Sequence, residues 1–487
     1  MFLLSKFLFK VVSRRTWHHA FAISCFLFFV GSSVSPTAFA VPAFARQTGQ
    51  NCVACHAGGQ FPELTPYGRM FKLTGYTIGE RDVPLSVMAV VSANKTSSTN
   101  DPNGNARTDF PKDGNLIFST SSLFLAGKIS DKLGAFVQMT YDNYTAQSGQ
   151  DSHWIGHPHS DNFDLRYADR YIDEERDLIV GMSMNNNPTV QDVWNSAPAW
   201  GFNVVPGSAG PQNAPLLAGG LSQQSTGIGA YAFWNRTLYG ELSFYRTANG
   251  IWSFMSQGFN TNLGTQAMLK GYNPYWRLAL SKEWGAHNIM AGLVGMNAEV
   301  YPDPTAPSGP TNKFRDVGID AQYQYLLDPH TVTAQVSYIH ERVRWADSVG
   351  GQPGAYDANP NNTPVGQPLT NGSDTLDLFR AKASYIYQAK YGTSLSYFRM
   401  NGSANSAYQT AVANNDPASA SVSSNLSGNP GNSAWTAEVF WIPVQNIRLG
   451  AQYTAFTRFN GATSNYDGWG RSAKDNNTLF FYAWGAY

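Results

Sequence analysis

The chain has 487 residues with 33 basic and 33 acidic side chains, so 14% are charged, where about a quarter is usual for soluble domains. Zero net charge lacks the electrostatic footprint of a nucleic-acid binder, and no nucleic-acid partner is expected. Aromatic residues make up 14%, Gly numbers 45, mean hydropathy is −0.30, and past residue 40 no apolar run is long enough for a membrane helix. Together these point to an all-β membrane barrel, whose strands alternate lipid-facing and lumen-facing side chains.

Residues 1–40 carry Lys6, Lys10, Arg14 and Arg15, then the apolar run Phe21 to Val30, then Ala38-Phe39-Ala40. A basic, an apolar and a small-residue part in that order read as a secretory signal, with cleavage expected after Ala40. Cys25 lies inside the apolar run, is followed by more apolar residues, and is expected to leave with the signal rather than anchor a lipid.

Next comes Asn51-Cys52-Val53-Ala54-Cys55-His56. Two thiols three positions apart can add to the two vinyl groups of a haem, and the histidine that follows is placed by the same turn to ligate the iron. The expected cofactor is one haem c, held covalently by Cys52 and Cys55, with His56 as the proximal iron ligand. A zinc half-site would need two more soft ligands nearby, and a redox CxxC would sit in a βαβ setting; neither follows in the sequence. Haem is attached after export, so an unfolded secretory route suits this chain better than the twin-arginine route that Arg14-Arg15 suggests.

Residues 41–83 form a segment too small to bury a core of its own. Haem and the barrel are expected to supply the remaining packing. A short helix is expected to carry Cys52 to His56, and a second to start at Thr65-Pro66, with Thr65 as N-cap and Pro66 at the first helical position.

The run AFARQTGQNCVACHAGGQFPELTPYGRMFKLTGY, residues 43–76, resembles the N-terminal signature of the fused monohaem cytochrome c-porins, the outer-membrane iron oxidases of iron-oxidising bacteria. That resemblance implies a short cytochrome segment leading into a porin-like barrel of 16 strands. It also implies Fe(II) oxidation at the cell surface, with electrons passed to a periplasmic c-type cytochrome or other carrier.

From residue 84 to 487 the sequence independently reads as a barrel. Paired period-2 segments are joined by tight turns at Asp131–Gly134, Asp173–Asp177, Asn235–Thr237, Glu283–Asn288, Leu327–His330, Ala389–Gly392 and Pro443–Asn446. Seven short turns imply eight long connections and 16 strands if both ends of the barrel lie on the short-turn side. The strands are expected at 85–95, 115–129, 134–144, 162–172, 177–184, 226–235, 237–247 and 273–284. The remaining eight are expected at 286–299, 315–326, 330–345, 376–389, 391–403, 433–442, 447–459 and 475–487. The last ends on an aromatic residue, as the terminal strands of outer-membrane proteins do. The localisation expected is the bacterial outer membrane, with its lipid as surroundings and the barrel termini periplasmic.

Three features outside the CxxCH stretch bear on chemistry. The longest connection, about 185–225, holds Trp194 and Trp200 and suits either a lumen constriction or an outer loop. Met70, 14 positions beyond His56, is the first candidate for a distal haem ligand, with Met88 next in line. Asp151, His153, His157, His159 and Asp161 cluster in a stretch expected to be an outer loop, where His153, His157 and His159 are candidates for a surface metal site.

Function at this point has three readings. The first is an outer-membrane cytochrome that takes electrons from extracellular Fe(II) through a single haem to a periplasmic carrier, an iron:cytochrome c oxidoreductase. The second is a haem-bearing porin for transport, and the third a cytochrome with a different donor. No nucleophilic triad or phosphate loop stands out.

Overall fold

The computed structural model describes residues 42–59, 62–97, 116–147, 154–188, 190, 192–196, 214–257, 267–346, 371–405, 425, 427–468 and 470–487. The expected signal at 1–40 lies outside them. Three short helices lead: α1 (Pro42–Thr48), α2 (Cys52–Cys55) and α3 (Pro66–Leu73). They are followed by β1 (Leu85–Thr96), β2 (Leu116–Lys128), β3 (Leu133–Gln147), β4 (Trp154–Ile172), β5 (Asp177–Asn185), β6 (Ser225–Trp234), β7 (Leu238–Thr247) and β8 (Asn273–Trp284). The second half comprises β9 (His287–Val300), β10 (Asn312–Leu327), β11 (His330–Arg344), β12 (Ser373–Tyr387), β13 (Tyr391–Gly402), β14 (Asn432–Val444), β15 (Ile447–Arg458) and β16 (Thr478–Ala486).

Each strand pairs antiparallel with its sequence neighbours, and β1 also pairs with β16, which closes a porin-like barrel. The seam is held to the last residue: Val87 and Tyr487 exchange backbone hydrogen bonds, each of 2.8 Å. Closure removes the open edges that a bilayer does not tolerate.

Side-chain alternation explains the low charge of the composition. In β7 the outward positions include Leu238, Leu242 and Phe244, whereas Tyr239, Glu241, Ser243 and Tyr245 point inward and are buried. Polar inside and apolar outside is the reverse of a soluble sheet and is what a lipid-facing wall requires. Near the short-turn rim this wall carries Tyr171, Trp234, Trp284, Tyr387, Tyr391 and Trp441, all exposed, which is where an aromatic girdle belongs. Among the described residues no helix is long and apolar enough to cross a membrane. The architecture is that of a bacterial outer-membrane barrel.

Strand ends fall within three residues of the sequence expectation at every position but one. The exception is β4, which starts at Trp154 rather than 162 and so carries His157 and His159 on a strand, not in an outer loop. Gly156 and Pro158 read as loop residues, but cross-strand pairing with β3, His157 opposite Asp142 and His159 opposite Thr140, overrides that local preference.

The described parts of the long connection after β5 meet the inner wall of the barrel. The backbone carbonyl of Trp194 accepts hydrogen bonds from Gln322 (2.9 Å) on β10 and Gln335 on β11. Farther along, the N–H groups of Leu216 and Leu217 donate to Glu341 (2.8 Å) and Asp316 (2.9 Å) on the same wall. Trp200 lies outside the described residues.

Candidate functional site

The CxxCH segment sits inside the short-turn half of the barrel, held by walls on several sides. Ala43 N–H in α1 donates to Ser86 Oγ on β1 at 2.9 Å. Gln47 spans two structures: its amide donates to the carbonyls of Tyr76 (2.7 Å) and Ile78 (2.8 Å), and its Oε1 accepts from Lys128 N–H (2.8 Å) on β2. Phe44 stacks on Tyr76 with centroids 5.3 Å apart and meets Phe71 edge-on at 4.9 Å.

α2 is one helical turn, so Cys52 and Cys55 are brought to adjacent positions on it, and His56 follows as its C-cap with N–H to Cys52 O of 2.8 Å. α3 braces this turn. Thr65 is the N-cap, accepting from Gly68 N–H at 3.2 Å, and Pro66 occupies the first helical position. Thr65 N–H also donates to Cys55 O at 2.9 Å, and its hydroxyl donates to Ala54 O. Gly68 is required by contact: a Cβ there would lie 2.2 Å from the carbonyl oxygen of Cys55. Gly58, at φ 70°, likewise lies against Ile386 of β12, with room for no side chain.

Charged residues fasten the segment to the lumen. Arg69 donates to Leu64 O (2.7 Å), to Gln322 and Gln324 of β10 (3.3 and 3.1 Å) and to Asn288 of β9 (2.9 Å). Lys72 donates to the carbonyls of Val190 and Asp192 in the inward loop. Glu63 pairs with Lys382 of β12 at 2.6 Å. Tyr76 donates to Asp164 of β4 at 2.6 Å, and Tyr231 of β6 donates to Leu73 O at 2.7 Å.

Burial sets the protonation of this segment. It pushes His56 down to about 4, against the pull of the Glu63 carboxylate, so the imidazole is neutral. Burial, with the charge of Cys52, pushes the Cys55 thiol up to about 12, so neither proton loss nor thiolate chemistry is favoured at neutral pH. Lys72 falls to about 8 and Arg69 to about 10 by burial. For Glu63 burial acts upward, but the Lys382 ammonium outweighs it and holds the carboxyl below its usual value.

The two cysteines form no disulfide, and His56 Nδ1 is a buried polar atom without a hydrogen-bond partner. Cys52 packs on an apolar wall of Val90, Phe480, Tyr482, Trp484 and Ala486 on β1 and β16.

The other sequence candidates are placed as follows. Met88 packs against the cluster that contains Cys52, whereas Met70 packs against a different cluster, with Leu73, Trp194 and Tyr239. His157 and His159 lie together on β4 with rings 5.4 Å apart, and His159 Nε2 is 3.9 Å from Asp142. His153 and Asp151 lie outside the described residues. Among the described residues no three His, Cys, Asp or Glu side chains are grouped to hold a metal ion. Asp161, expected to cluster with the histidines, accepts instead from Thr140 at 2.8 Å and from Gln223.

The sequence reading had no role for Glu63, Arg69 and Lys72. Their signal was there: three charged residues in ten positions of a segment that must be enclosed to have a core at all.

No protein-family description matches the chain, and no curated protein matches it. Solved structures similar to it include the outer membrane channel DcaP of Acinetobacter baumannii, at TM-score 0.44 and 12% identity over 83% of this chain and 97% of that one. Salmonella typhi OmpF in complex with daunomycin gives 0.42 and 11% over 83% and 97%. The anion-selective porin from Comamonas acidovorans gives 0.39 and 12% over 83% and 98%. The barrel is established by its own strand pairing.

Proposed function

We propose that this chain is an outer-membrane cytochrome in which a haem c, bound through Cys52 and Cys55 with His56 as axial ligand, carries electrons from extracellular Fe(II) to a periplasmic c-type cytochrome. The observation that carries this reading is the CxxCH turn braced inside a closed barrel, with a buried neutral imidazole whose Nδ1 has no protein partner. The haem, when bound, supplies a one-electron centre within a wall that would otherwise insulate about 30 Å of hydrocarbon.

The chain's own residues do the positioning. Thr65 and Gly68 fix the CxxC turn, Arg69 and Glu63 moor it to β9, β10 and β12, and the Val90–Trp484 wall offers an apolar face. Met88 is the methionine that shares that apolar cluster with Cys52. The cavity beside Ala57 and Glu63 measures about 40 Å³, so a porphyrin on that side would displace lining side chains. Short turns face the periplasm in outer-membrane barrels generally, which supports access of a soluble periplasmic carrier to the CxxCH segment. A haem-bearing porin for transport is the second reading, which the closed 16-strand barrel itself favours.

The test is anaerobic mixing of the purified oxidised protein with Fe(II), followed by stopped-flow absorbance, beside a pyridine haemochrome assay. Fast growth of reduced haem bands supports the reading. A haemochrome with reduction by dithionite but not by Fe(II) would keep the cytochrome and move the donor elsewhere. No haemochrome in the wild type would end the proposal.

A further inference from the structure

At the long-loop end, the outer wall of β8 to β11 carries a basic groove that the electron-transfer reading does not use. It is lined by Lys270, Tyr272, Lys313, Arg315, Arg342 and Arg344, with Glu299 among them, and encloses about 400 Å³. Lys313, Arg315, Arg342 and Arg344 occupy the outward, exposed positions of their strands.

The register sets like charges face to face. Arg315 lies directly opposite Arg342, and Lys313 directly opposite Arg344. Such pairs are destabilising on a sheet unless something neutralises them. Glu299 takes up part of the charge, 3.7 Å from Lys313 and 4.0 Å from Lys270. Arg315, Arg342 and Arg344 have no ion pair or side-chain hydrogen bond among the described residues. Five cations therefore meet one carboxylate.

The height of the groove identifies what faces it. The next outward residues below Arg315 on β10 are Val317 and Ile319, and below Arg342 on β11 come His340, Tyr338 and Val336. On β8 the outward positions below are Trp276, Leu278 and Leu280. Ile319 and Leu280 are 56% and 60% exposed, as acyl-chain contacts are. At about 3.4 Å per residue, Arg315 stands about 7 Å above Val317. That is where the apolar belt ends and lipid phosphates begin. Guanidinium groups bind phosphate oxygens bidentately, and several converging on one groove suit a multiply phosphorylated headgroup.

We propose that this groove binds the phosphorylated headgroup of a membrane glycolipid of the lipid A class, with the acyl chains lying on the wall below. The phosphates neutralise the Arg315–Arg342 and Lys313–Arg344 pairs and seat the barrel at a defined depth.

Native mass spectrometry of the detergent-solubilised full chain, titrated with bis-phosphorylated lipid A, tests this. The wild type should retain lipid A, with affinity falling as salt rises. The variant Arg315→Gln/Arg342→Gln/Arg344→Gln should bind at least about tenfold more weakly, since three charge-assisted contacts to phosphate are lost. Dephosphorylated lipid A should bind the wild type as weakly as it binds the variant. Inorganic phosphate alone should compete only at far higher concentration, because it lacks the acyl-chain contacts. Heat-modifiable electrophoretic mobility verifies that the variant barrel is folded, and the single variant Arg342→Gln repeats the test if the triple one is not. Arg176→Gln, at a short turn, is the control and should leave binding unchanged. Equal retention of lipid A by the wild type and a folded groove variant, or indifference to removal of its phosphates, overturns the proposal.

Discussion

Replacing Gly68 by Ala adds one methyl at the point where α3 meets α2. That carbon would lie 2.2 Å from Cys55 O, 2.9 Å from its carbonyl carbon and 3.0 Å from its Cα, all backbone atoms that cannot rotate away. Restoring ordinary contact at 3.4 Å requires the two helices to part by about 1.2 Å (3.4 − 2.2). Overpacking of this kind costs about 1–3 kcal/mol. The same movement strains two hydrogen bonds from Thr65, to Cys55 O and Ala54 O, which contribute about 1 kcal/mol each. Losing about half of each bond adds about 1 kcal/mol, and the total of about 2–4 kcal/mol, at about 1.4 kcal/mol per tenfold, raises opening of the segment about 30- to 700-fold. Hydrogen exchange read by mass spectrometry should show that acceleration in peptides from 42–76, with β6 to β9 unchanged. Exchange of 42–76 that equals the wild type would refute the packing argument, and a uniform rise over the whole barrel would show that the segment is not a separate unit.

Removing the lysine of the Glu63–Lys382 pair, in Lys382→Met, strands a buried carboxylate and should destabilise the segment by about 1–3 kcal/mol, discounted for the partial exposure of Lys382; the double variant with Glu63→Gln should recover most of the loss in the same exchange assay. Because Glu63 is held below the ordinary glutamate value of 4.5, its contribution is present above that pH and is lost as pH falls through the lower folded value. Protonation of buried His56 loosens segment 42–76 as pH falls from about 6.5 toward 4 in wild type and variant alike; below about 4.5 the wild type should loosen further, and Glu63→Gln should remove only that added part, whereas a parallel response in both would contradict the pairing. Arg69→Met leaves Gln322, Gln324 and Asn288 without their donor; a loss of about 2–4 kcal/mol is expected, read as segment exchange with barrel mobility on gels unaltered. Asp192 accepts from Trp194 N–H and Ser196 N–H and lies 3.4 Å from Arg277. Asp192→Ala should free the inward loop and raise single-channel conductance in planar bilayers, and unchanged conductance would mean that the loop does not set the pore.

Local chemistry was sufficient for much of this protein. The CxxCH spacing, the Thr65-Pro66 helix start and the tight turns are short-range features whose physics is complete within a few residues, and the structure has a one-turn helix, an N-capped helix and short turns at those positions. Strand alternation likewise follows from a two-residue period, which is why sixteen strands were countable before any pairing was known. What only the tertiary structure decided depends on register and closure. Loop-like Gly156 and Pro158 became strand because β3 pairs with Ile155, His157, Pro158 and His159 around them, and that moved His157 and His159 onto the wall. The register of the β10–β11 hairpin, counted from the Leu327–His330 turn, set Arg315 against Arg342 and Lys313 against Arg344, residues 27 and 31 positions apart (342 − 315 and 344 − 313). Closing the ring brought Arg69 to Asn288 and Gln324, and Glu63 to Lys382, across more than two hundred residues of chain. Those contacts hold the CxxCH segment in the lumen, because a segment that cannot bury a core of its own takes its position from the wall that encloses it.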